Sequence, residues 1–128
     1  MKTDLEARAN VESLDDLHAQ RRDILAMFAP LKAMHGAFGL YDARRKALLE
    51  GLKVRTRERL MAANAKVTDA IVDAEAHNDP TYVAWLDEQF TDKVRYVQLE
   101  VEMDEIAERI RNRELSLQIF NSEVKLAR

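Results

Sequence analysis

The 128-residue chain contains no cysteine, so disulfides, thiolate nucleophiles and cysteine-based redox chemistry are excluded. Glycine (three residues) and proline (two) are scarce, which leaves few places to break a helix and no glycine-rich loop to cradle a phosphate. Aromatic residues make up only 6% of the chain, too few for a base-stacking platform. No apolar run approaches the roughly 20 residues that span a bilayer. The opening residues Met1-Lys2-Thr3-Asp4-Leu5-Glu6 lack the apolar core of a secretory leader. The cytoplasm is therefore the expected compartment. A net charge of −3 gives no global attraction to nucleic acid.

What remains is rich in charge (34%) and in good helix formers, with no sustained period-two alternation. An all-α fold follows. The last third carries the clearest pattern: Leu99, Met103, Ile106, Ile110, Arg113, Leu117, Phe120 and Val124 alternate steps of four and three. That is the heptad spacing of a coiled coil, and a helix with one narrow apolar stripe needs another helix to cover it. Leu99, Met103, Ile106, Ile110, Leu117, Phe120 and Val124 are accordingly read as an oligomer seam. A homodimer or higher assembly is expected. Arg113 interrupts the seam, either snorkelling to solvent or pairing with an acid across an interface.

The capping signals divide the chain into a polar, flexible arm at 1–12 and one helical domain at 13–128. Its helices are expected at about 13–35, 40–63, 69–77 and 80–126. Ser13 followed by Asp16 resembles a capping box, Thr68 is a candidate cap, and Asp79-Pro80 suits the N-cap and first turn of a long final helix. Pro30 predicts a kink or break, reinforced by Gly36 and Gly39. Ala43, Ala47 and Gly51, with Leu40, Val54 and Met61 on the same side, predict close helix packing there. On the final helix, Leu86, Phe90, Val94, Val97 and Val101 lie off the downstream seam, which predicts a stutter. Two arms of matched length and a short tip helix together make a long antiparallel hairpin with a kinked N-terminal arm.

Between Arg44 and Arg59 stand seven bases and two acids, and between Val67 and Asp92 seven acids and no Lys or Arg. Charge pairing between the two arms is the simpler expectation. Alternatively, Arg44, Arg55 and Arg59 form a phosphate-binding strip for DNA. Asp69, Asp73 and Glu75, with Trp85, are the candidate partner-binding residues; Trp85 otherwise packs beneath the tip helix. Asp69, Asp73 and His77 share a helix face, where a solvated acidic surface is favoured over a metal site. No catalytic residue, metal site or cofactor motif is found, and a slender hairpin offers no concave pocket, so the chain is read as a non-enzyme.

At Lys66-Val67-Thr68-Asp69, then Val72-Asp73-Ala74 and Asp79-Pro80, the chain resembles a group of small bacteriophage proteins. These have a basic, Ala-rich first helix, a Lys-apolar-Thr-acid turn, a short helix and a long last helix with arginine near its end. Arg109, Arg111 and Arg113, with Leu117 and Phe120, match that last feature. The resemblance implies a gene among early recombination and replication functions and residence in the host cytoplasm. It implies an oligomeric coiled-coil adaptor or accessory subunit. The alternative is an inhibitor that blocks a host defence protein through its acidic tip. Self-association and a protein partner are expected under both.

Overall fold

The computed structural model describes residues 13–127, in which four helices and no strand are found. They are α1 (Leu14–His35), α2 (Tyr41–Ala62), α3 (Asp69–His77) and α4 (Pro80–Leu126). The fold is all-α. The arm expected at 1–12 lies outside the described residues. Among the described residues, no helix is long and apolar enough to cross a membrane.

Local chemistry sets the helix ends. The hydroxyl of Ser13 accepts from the Asp16 amide (3.1 Å), that of Thr68 from Ile71 (3.2 Å), and the Asp79 carboxylate from Thr81 (2.8 Å). Each satisfies an amide that the first helical turn leaves without a carbonyl. Pro80 occupies the first position of α4, where its missing donor costs nothing. Past α2, Asn64 takes the left-handed conformation (φ 52°), and the Ala65 amide donates back to the Leu60 carbonyl at 2.9 Å.

Pro30 does not break α1. The helix runs through it to His35. Pro30 and Ala26 are both exposed, so water can solvate the Ala26 carbonyl that the ring leaves without a donor. The break comes at residues 36–40 instead, where the Leu40 amide reaches back to the Ala33 carbonyl at 3.0 Å. Gly39 is required there by close approach. A Cβ at that position would lie 2.3 Å from the Met34 carbonyl oxygen.

The chain divides into two compact units, residues 13–29 with 97–127 and Pro30–Tyr96, where length alone suggests one core. In the first, Leu17 of α1 packs with Ile106 and Ile110 of α4, flanked by Leu14 and Ile24. Leu99 is fully buried in that unit. In the second, Leu49 and Leu52 of α2, Ala76 of α3 and Tyr82 of α4 form the core, with Leu48 and Leu86 against it.

Two expectations about helix faces are corrected. The row Leu40, Ala43, Ala47, Gly51, Val54 and Met61 is exposed, and a Cβ on Gly51 would have no heavy atom within 4 Å. The packing face of α2 is the row through Leu48, Leu49, Leu52, Thr56 and Leu60. On α4 there is no stutter. Its covered positions include Tyr82, Trp85, Leu86, Gln89, Asp92 and Tyr96 in one unit, and Leu99, Met103, Ile106, Ile110, Arg113, Leu117 and Val124 in the other. Steps of three and four connect 82, 85, 89, 92, 96 and 99 to the downstream seam, leaving Phe90, Val94, Val97 and Val101 on the outside.

Gly51 therefore sits in an exposed helix interior with room for a methyl group. Gly51→Ala should raise stability by about 0.5–1 kcal/mol in denaturant unfolding, since only backbone entropy changes. Were Gly51 a close-packing position, the same substitution would destabilise. Asp79→Ala should lose about 1 kcal/mol, the value of an N-cap, read as a lower urea midpoint at unchanged slope.

Candidate functional site

The charged residues singled out in the sequence meet within the Pro30–Tyr96 unit. α3 packs on α2, and its acids face the bases of α2: Arg57 holds Asp69 at 2.7 Å, Lys53 holds Asp73 at 3.1 Å, and Arg59 is bonded to Glu75. Charge pairing thus links α2 to the short helix. Spacing explains the match, because Asp69 and Asp73 are one turn apart, as are Lys53 and Arg57. Glu75 lies farther around α3 and meets Arg59.

This pairing changes the two candidate surfaces. Asp69, Asp73 and Glu75 each pair with a base of α2, while the Asp69 side chain stays 95% exposed. Arg59 belongs to the same interface, while Arg44 and Arg55 stay exposed on α2. A depression of about 540 Å³ beside them is lined by Arg55 and Arg59 but also by Glu75 and Asp79, so its charges balance.

Two bases titrate above their ordinary values. The hydrogen bond to Asp73 raises Lys53 above 10.5, against the opposing effect of desolvation. The Tyr82 hydroxyl does the same for Arg45, joining α2 to α4. A lysine whose folded pKa is raised stabilises fully below its unfolded value and loses that contribution as pH rises through the folded one. In Asp73→Asn, the NMR titration of the Lys53 side chain should fall back towards 10.5; an unchanged midpoint would exclude the pair.

Trp85 is half-buried. Its ring stacks on Tyr41, the first residue of α2, with centroids 5.5 Å apart and planes inclined at 17°. The residue that α3 covers is Tyr82, which packs with Ala76 and meets the His77 ring edge-on at 5.5 Å. The His77 Nδ1 lies 2.8 Å from the Asp73 carbonyl oxygen. Among the described residues, no group of three His, Cys, Asp or Glu side chains is arranged to hold a metal ion.

The seam is occupied from within the chain over its first half. Leu99, Ile106 and Ile110 are buried in one copy, the last two against Leu17 of α1, so they are not free to form an oligomer interface. Farther along, Met103, Leu117 and Val124 are half-buried and Phe120 is 42% exposed. The Arg113 Nε is buried with no hydrogen-bond partner among the described residues.

Sequence reasoning passed over Gln89, which occupies a seam position at 7% exposure, and over His35 beside it in one cavity. Continuing the 3-4 spacing upstream from Leu99 finds Gln89, but only if a polar residue is admitted to the stripe. No protein-family model, curated protein or solved structure matches this chain.

Proposed function

We propose that the protein is a non-enzymatic, self-associating helical-hairpin adaptor whose working surface is the distal seam of α4. The observation that carries this reading is the state of Arg113. A guanidinium nitrogen buried without a partner is costly, and the cost is relieved when a second chain supplies an acid. Leu117, Phe120 and Val124 continue the same row, giving a second copy apolar residues to pack against. Leu115 and Ile119, both more than half exposed, add an apolar row on the opposite face of the helix.

The resemblance to small bacteriophage proteins supports an accessory role beside recombination or replication proteins in the host cytoplasm. Inhibition of a host protein through an acidic tip is less favoured, since three of the tip carboxylates are engaged by α2. DNA binding through Arg44, Arg55 and Arg59 is weakened by the pairing of Arg59 in the same way.

Light scattering at micromolar concentration tests the reading. Wild type should have the mass of a dimer or higher assembly. Leu117→Asp should dissociate it while retaining helix, because Leu117 lies beyond the Leu17–Ile106–Ile110 core. A monomer mass for wild type at about 100 μM, corresponding to association weaker than roughly 5–6 kcal/mol, would overturn the proposal.

A further inference from the structure

Within the Pro30–Tyr96 unit, a cavity of about 670 Å³ opens between the end of α1, the turn that follows it, the start of α2 and residues 86–93 of α4. Its size falls in the range of small-ligand sites, roughly 300–1,000 Å³. Met34, Leu86 and Phe90 make part of the wall apolar. Phe90 is 71% exposed. Tyr41 also lines the cavity, with the rings of His35 and Trp85 at centroid distances of 5.7 and 5.5 Å.

Two residues that line the cavity each carry a buried polar atom unanswered by the described protein. The Gln89 side chain is more than nine-tenths buried, and its Oε1 has no hydrogen-bond partner among the described residues; the same is true of the buried His35 Nε2. A carbonyl oxygen accepts, and the imidazole nitrogen accepts in the neutral tautomer with its proton on Nδ1. Two carboxylates, Asp42 and Asp87, line the same cavity. The one cation there, Lys93, donates to the His35 carbonyl at 3.3 Å and lies 5.1 Å from the Tyr96 ring centroid. Asp42 is only loosely engaged, with Arg45 at 3.9 Å. The site thus offers acceptors, a surplus of negative charge and flat aromatic surface.

We propose that this cavity binds a small aromatic cation bearing N–H donors, of the arylamidine class. The ring lies against the exposed Phe90 beside Tyr41, and the N–H groups donate to Gln89 Oε1 and His35 Nε2 once these side chains turn towards the cavity. The acidic rim favours the positive charge. The amide of Gln89 selects for a donor, because a ligand that lacks one leaves the buried oxygen unpaired.

Benzamidine is the probe. Titrated into the full chain, it should give saturable NMR shifts at the Gly36 and Gly39 amides and at the indole N–H of Trp85, the chain's only tryptophan, with Kd below about 1 mM. Benzoate, with the same ring but negative charge and no donor, should give no saturable shift. Gln89→Met should weaken benzamidine binding about tenfold or more, the loss expected for one buried hydrogen bond. Where that variant does not fold, Phe90→Ala, which changes a mostly exposed wall residue, should weaken it as well. No saturable shift with benzamidine up to about 10 mM would overturn the assignment. So would equal binding of benzoate, or undiminished affinity in a folded Gln89→Met or Phe90→Ala protein.

Discussion

The constraint on which this structure depends is that α4, a single helix of 47 residues, has one narrow stripe to bury and cannot bury it alone. Each of the other helices covers part of that stripe. Leu17 of α1 closes over Ile106 and Ile110, and Leu49 and Leu52 of α2 with Ala76 of α3 close around Tyr82. Each unit therefore has its own small apolar cluster, and α4 contributes to both. Small clusters give small margins of stability, so caps and helix propensity matter more here than under a deep core.

The stripe is also where the chain departs from an ideal coiled coil. Gln89 and Arg113 occupy positions that an apolar residue would fill with less penalty, and each has a buried atom left unpaired by the described protein. A buried polar group without a partner costs about 1–3 kcal/mol, more when charged. In a protein with small cores that is a large fraction of the total. Such residues are tolerable where a ligand or another chain completes them, which ties the least stable points of the stripe to its candidate interaction surfaces.

The parts of this fold legible in the sequence are those decided within one helical turn. Ser13, Thr68, Asp79 and Pro80 announce helix starts because a cap needs only the next two or three amides. Faces were harder. α2 carries two apolar rows, one through Ala43, Ala47 and Gly51 and one through Leu49, Leu52 and Leu60, and only the partner decides which is inside. On α4 the inner row contains Gln89 and Asp92 while the outer row contains Phe90 and Val94, so hydropathy points to the wrong face. The helix expected over 13–35 runs through Pro30 because the lost hydrogen bond is cheap on an exposed face, and proline alone does not reveal that exposure.

Charge tells the same story at longer range. The basic run in α2 and the acids that follow it show that the two segments belong together, and the pairs form. The sequence does not say that the short α3, rather than the long α4, supplies those acids. Lys53 and Arg57 match Asp69 and Asp73 in spacing by one turn on each helix, and that match fixes which faces meet. Once the charges are spent on one another, the exposed Asp69 and Arg57 offer little field to a distant partner, because opposite charges about 3 Å apart look nearly neutral beyond a Debye length of roughly 8–10 Å. Long-range steering is therefore weak at this end of the chain. The buried atoms left unpaired lie away from this charged interface: Arg113 Nε on distal α4, and Gln89 Oε1 and His35 Nε2 in residues that line the cavity.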